Sequence, residues 1–181
     1  YESGRIRKVG EYIDGKKSGL QQVWYENGKR ESEENFKDGN KDGLEREWYN
    51  NGQLSFEGDW RDGWGYGLNR SWHKNGQLRS ESFYKDKAKD GLWREWYENG
   101  QLSFEGDWRD DKGYGLHRSW HKNGQLKVEF NYKDGKLDGL IRSWYENGQL
   151  ESEENFKDGN WLDCKSWDAK GNRTECFQPG C

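Results

Sequence analysis

Apolar and polar residues alternate one for one along most of this chain, which is the period of a half-buried β-strand. Leu44, Arg46 and Trp48 fall on one side of such a strand, with Glu45 and Glu47 on the other. Beyond Asn50-Asn51-Gly52 the alternation resumes, with Leu54, Phe56, Gly58 and Trp60 sharing a side. Those three intervening residues suit a three-residue hairpin loop, a type I turn closed by a glycine at positive φ. The loop predicts Trp48 opposite Leu54, Arg46 opposite Phe56 and Leu44 opposite Gly58. A longer connection around Asp38-Gly39 and Asp42-Gly43 then places Phe36 opposite Leu44.

The hairpin recurs. Gly19, Gly43, Gly67, Gly91, Gly115 and Gly139 each precede a leucine, at a constant step of 24 residues. Trp24, Trp48, Trp72, Trp96, Trp120 and Trp144 keep the same step, as do the Asn-Gly pairs at 27, 51, 75, 99, 123 and 147. A 48-residue step overlies it, because the run from Ser55 to Asp62 returns unchanged from Ser103 to Asp110. Self-similarity of this kind marks a repeat architecture. Six 24-residue repeats over about 10–160 and a modified capping hairpin over about 161–181 make one domain, 1–181, with no linker. The fold expected is all-β: an elongated, twisted antiparallel meander of about 14 strands.

An even repeat length carries one face along the array, and 12 of 13 Leu and 9 of 12 Trp indeed carry even numbers. The even face holds the candidate interaction or packing residues Arg46, Trp48, Arg70, Trp72, Arg94, Trp96, Arg118, Trp120, Arg142 and Trp144. Arginines there would stack between indole rings. The other face is expected to carry Tyr25, Tyr49, Tyr97 and Tyr145, with His73 and His121 in alternate repeats. Glu33, Glu57, Glu81, Glu105, Glu129 and Glu153 join them.

Composition removes one doubt and several functions. Leu, Ile, Val and Phe number only 26 of 181 residues, a share typical of disordered chains. Yet 12 Trp and 10 Tyr supply the apolar area that aliphatics do not. The net charge of −4 comes from finely mixed signs, without the clustered basic footprint nucleic acid needs. No apolar run approaches a membrane span.

The run Trp144-Tyr145-Glu146-Asn147-Gly148-Gln149-Leu150, followed by Glu153 and by Phe156-Lys157-Asp158-Gly159, resembles the MORN repeat, most closely its bacterial variant. The blocks beginning Trp24-Tyr25, Trp48-Tyr49, Trp72-His73, Trp96-Tyr97 and Trp120-His121 repeat it, and the likeness covers about Gly10 to Phe156. The resemblance implies successive hairpins in one twisted sheet. It also implies non-catalytic roles in protein contact, assembly or membrane-lipid attachment. Some bacterial relatives labelled as antitoxins suggest a protein partner.

Specific chemistry is sparse. His117 and His121 would lie on one side of a strand but too far apart for one zinc ion, and no C-x-x-C supports a site. Asp38-Gly39-Asn40-Lys41-Asp42-Gly43 opens like a calcium loop, but Tyr49 stands where a bidentate glutamate is required. The glutamates recur in every repeat and form no special pair. No catalytic residue, metal site or cofactor is assigned, and the chain is not expected to be an enzyme. Aligning the last hairpin on its predecessors sets Cys164 opposite Cys176, within disulfide range. Cys176–Cys181 around Pro179-Gly180 is the alternative, and Cys181 otherwise is a free or intermolecular thiol.

A disulfide favours an oxidising compartment. With Tyr1 first and no Met, it points to an exported, extracellular or cell-surface protein, or a cytoplasmic one if Tyr1 is only a boundary. The leading expectation is a structural or assembly module whose partner is itself, through end-to-end or edge contacts, because open strand edges pair readily. The alternatives are a module binding another protein, in the antitoxin or immunity manner, and a lipid- or glycan-binding surface on the Trp/Arg face.

Overall fold

The computed structural model describes residues 2–176. Among them there is no helix, and the strands number 17. They are β1 Lys8–Ile13, β2 Lys16–Trp24, β3 Arg30–Lys37, β4 Asn40–Trp48, β5 Leu54–Arg61, β6 Trp64–Trp72, β7 Leu78–Lys85, β8 Ala88–Lys89 and β9 Gly91–Trp96. Then follow β10 Leu102–Arg109, β11 Lys112–Trp120, β12 Leu126–Lys133, β13 Lys136–Leu137, β14 Gly139–Trp144, β15 Leu150–Lys157, β16 Asn160–Trp167 and β17 Arg173–Thr174. The fold is an all-β antiparallel meander. It divides into two compact halves, Tyr1–Ala88 and Lys89–Cys181.

Both ends of each hairpin explain themselves in the sequence. At the Asn-Gly end, the Gly52 amide donates to the Tyr49 carbonyl at 2.8 Å and Gly52 has φ 92°, the three-residue loop that the residues predict. At the other end Lys37 pairs with Asn40 around Asp38 (φ 52°) and Gly39 (φ 89°). That is a two-residue type I′ turn, which requires positive φ at both positions and favours Asp-Gly. The connection is therefore shorter than expected, and Phe36 pairs with Lys41, not Leu44. Residues 42–44 then bulge opposite Asn35, whose Nδ2 donates to the Leu44 carbonyl at 2.7 Å. The corresponding swellings at Asp90 and Asp138 interrupt two strands, which raises the count above about 14.

A second bulge decides the faces. Glu47 pairs with Phe56 but Trp48 pairs with Leu54, so Ser55 is an extra residue in the returning strand. Glu31, Arg79, Ser103, Lys127 and Glu151 are extra in the same way. One extra residue per hairpin makes odd positions pair with even ones. Arg46 consequently lies opposite Glu57, not Phe56, and Gly58 lies opposite Glu45, not Leu44. Even-numbered residues on successive strands point to opposite faces. The expected one-sided distribution of tryptophan is thus incorrect: Trp60, Trp93 and Trp108 lie on the face away from Trp48, Trp96 and Trp120.

No large apolar side chain among the described residues is fully buried. The most enclosed side chains are Gln21, Glu45, Asn69 and His117. They occupy one repeat position, at multiples of 24 residues, and form the centre line of the inner face within their halves.

Candidate functional site

Within each half, the outer face carries a charge ladder that the register builds strand by strand. Gln22, Glu33, Arg46, Glu57, Arg70 and Glu81 stand side by side across β2 to β7. In the second half Arg94, Glu105, Arg118, Glu129, Arg142, Glu153 and Lys165 do the same. Each arginine Nε donates to a carboxylate, at 2.7 Å for Arg46–Glu57, 2.9 Å for Arg70–Glu81 and 2.8 Å for Arg94–Glu105. Arg118–Glu129 and Arg142–Glu153 follow at 2.9 and 3.1 Å. The arginines are about two-fifths exposed, so each pair contributes only ~0.2–1 kcal/mol. Like charges never meet directly opposite along the ladder, and that opposes slippage of the strands. The glutamates expected on the far face are thus the partners of the candidate arginines.

Beside the ladder runs a row of leucines. Leu20, Leu68, Leu116 and Leu140 are 40, 39, 41 and 38% exposed. Trp48, Trp72, Trp120 and Trp144 close the strands at the other side, and their carbonyls accept from the following locks. The Tyr25, Tyr49 and Tyr97 hydroxyls donate at 2.7 Å to the carbonyls of Trp48, Trp72 and Trp120. His121 Nε2 serves Trp144 at 2.7 Å and the Tyr145 hydroxyl serves Trp167 at 3.0 Å. The loop asparagines do likewise: Asn51 Nδ2 donates to Lys74 and Asn99 Nδ2 to Lys122, at 3.1 and 2.9 Å. Each Asn Oδ1 meanwhile accepts from the amide two residues on, as in Asn51 with Gln53 at 3.0 Å. The recurrent Trp-Tyr-x-Asn-Gly block is therefore a set of ties from one repeat to the next.

The inner face differs between the halves. In the first, Lys41 bridges Glu45 and Glu34, and Glu45 is 2% exposed. Burial raises the Glu45 pKa against the pull of Lys41. For Lys41, burial works downward, but hydrogen bonds to Glu45 and Glu34 prevail and raise it. An open groove of about 470 Å³ lies here between Trp60, Phe56, Tyr49, Glu45 and Arg79. In the second half the same position is Trp93 and then His117, packed against Phe104, Trp108, Phe130 and Tyr132 at 4.9–5.8 Å between centroids. Lys89 Nζ sits 3.6 Å from the Trp93 ring. His117 Nε2 donates to the Asp107 carbonyl at 2.9 Å, and burial lowers its pKa against that bond.

In the sequence His117 reads only as a poor zinc ligand, and its place in this row does not show at the residue itself. The signal was there: Gly10, Gly58 and Gly106 recur every 48 residues, and a Cβ at each would overlap Gln21, Asn69 and His117 respectively. Glycine is what lets the neighbouring side chain lie over the strand. Cys164 and Cys176 form a disulfide with Cα atoms 6.0 Å apart, tying β16 to the segment after β17. Cys181, and with it the alternative Cys176–Cys181 pairing, lies outside the described residues. Among the described residues no three His, Cys, Asp or Glu side chains converge as metal ligands do.

Tandem hairpins tied by side chain to backbone, presenting the same rows of residues again and again, define a repeat-based binding or scaffold module. The repeats themselves carry a name. The MORN repeat variant matches residues 17–38, 41–62, 66–86, 89–110, 114–134 and 137–158, and the chain belongs to that family. No curated protein matches it.

Proposed function

We propose that this chain is a non-catalytic assembly scaffold whose partner is a second copy, docked sheet to sheet through the outer face. One observation supports the reading most: four leucines at one repeat position, two in each half, are left 38–41% exposed beside alternating Arg and Glu. The residue pattern is periodic, with one leucine and two ladder charges per two strands, roughly every 10 Å, although Leu44 and Leu92 at the same position are half-buried. A partner that matches every row must have the same period, and another copy has it. Alternating charges are self-complementary, because an antiparallel copy can set its arginines over these glutamates.

Sedimentation velocity over a wide concentration range tests the reading. Association is expected, and it should weaken when Leu116→Glu and Leu140→Glu are introduced together; a monomer at every concentration contradicts the reading. The Cys164–Cys176 bond supports action in an oxidising, extracellular setting. Thiol labelling of the protein in its source cells checks this. Blocked Cys164 and Cys176 are expected, and two free thiols would count against export.

A further inference from the structure

One repeat departs from the others at the Asp-Gly end of its hairpin. Where it carries Trp64, the equivalent residues are Lys16, Asn40, Ala88, Lys112, Lys136 and Asn160. Where it carries Phe83, they are Asn35, Asp59, Asp107, Asn131 and Asn155. Tyr66 replaces Ser18, Asp42, Asp90 and Asp138, and only Tyr114 repeats it. These rings are not needed to fill a core, since Trp64, Tyr66 and Phe83 are 52, 40 and 43% exposed. Exposed aromatic surface held in place of polar residues marks an interaction site.

Two of these rings, Trp64 and Tyr66, line a pocket of about 120 Å³ whose other walls include Arg61, Asp62, Asp86 and Lys87. Arg61 pairs with Trp64 across the strands, and its guanidinium lies 3.8 Å from the Tyr66 ring centre. Lys87 Nζ lies 5.3 Å from the Trp64 ring. The second half repeats the arrangement 48 residues on with Arg109, Asp110, Tyr114 and Asp134 around about 260 Å³. There Arg109 lies 3.5 Å from Tyr114, but Lys112 stands in place of Trp64.

We propose that the Trp64–Tyr66 pocket binds a neutral oligosaccharide. Two cations and two carboxylates line it, so it has no excess charge to attract a phosphate, and Asp62 and Asp86 would repel one. An apolar peptide would bury four charged groups without partners, at high cost. Sugar hydroxyls both donate and accept, so they satisfy Arg61 and Lys87 together with Asp62 and Asp86. The C–H faces of the sugar rest on the rings, which as second neighbours on one strand stand about 7 Å apart along it. The site lies on the outer face beside the leucine row, because Leu68 pairs with Phe83 across the strands, but its test reads glycan binding and not association.

The test is an array of neutral and acidic oligosaccharides probed with the full chain, followed by titration of Trp fluorescence with whichever glycan is held. Vesicles of phosphatidylserine in phosphatidylcholine and an acidic peptide serve as competing probes. The variants are Trp64→Lys and Tyr66→Asp, which carry residue types that other repeats hold at those positions and so preserve the hairpin. The expected result is binding of a neutral glycan that each variant weakens at least tenfold while the melting temperature stays unchanged. Binding to no neutral glycan, equal binding by the variants, or binding to the vesicles or the peptide alone would overturn the proposal.

Discussion

His117 is a titratable group in aromatic surroundings, 1% exposed, with its one N–H committed to the Asp107 carbonyl. Burial holds its folded pKa below the ordinary value of 6.5. Above about pH 6.5 the ring is neutral whether the chain is folded or not, so it adds no pH dependence. As pH falls below that, the unfolded chain takes up a proton that the folded chain refuses, and stability declines. Urea unfolding at about pH 7.5 and about pH 5 should therefore show a loss in acid that His117→Phe largely removes. At the higher pH the same variant should cost about 1 kcal/mol, for the lost hydrogen bond. An acid loss unchanged in the variant would assign it to other groups.

The turn at each Asp-Gly end forces positive φ on two residues, and Lys87 (φ 73°) bears that strain without a glycine. One repeat on, Asp111 bears the same strain (φ 61°), whereas two repeats on the residue is Gly135. Lys87→Gly should stabilise the chain by about 1 kcal/mol in thermal or urea unfolding; destabilisation would show that the cation beside Trp64 outweighs the strain. Strands, the repeat step, the Asn-Gly loop and the Cys164–Cys176 pairing were all legible, because period, glycine and spacing report them directly. The faces were not. A bulge at Ser55 needs no glycine and has no residue type of its own, since its equivalents are Glu31, Arg79, Ser103, Lys127 and Glu151. Parity counting then sorted Arg46 with Phe56 and separated it from Glu57. The opposite signs of Arg46 and Glu57 were the available clue, because a cross-strand ladder rewards that alternation.

Across the whole chain the true period of the inner face is two repeats, because Gly58 and Gly106 make room for Asn69 and His117 while Glu34, Ser82 and Phe130 hold the intervening positions. Repeat proteins are stabilised by neighbour contacts, so excision should be tolerated in whole periods. Removing residues 41–88, one 48-residue period, sets Trp93 and Gly106 where Glu45 and Gly58 stood. Removing 41–64, one 24-residue step, brings Asn69 against Glu34 instead. The longer deletion is expected to melt as cooperatively as the parent and at a higher temperature than the shorter one; the reverse order would refute the two-repeat period. Everything proposed for the outer face depends on one extra residue per hairpin, which interstrand NOEs in solution read directly. Backbone contacts should pair Arg46 with Glu57 and Glu45 with Gly58. Contacts pairing Arg46 with Phe56 and Leu44 with Gly58 would contradict this register.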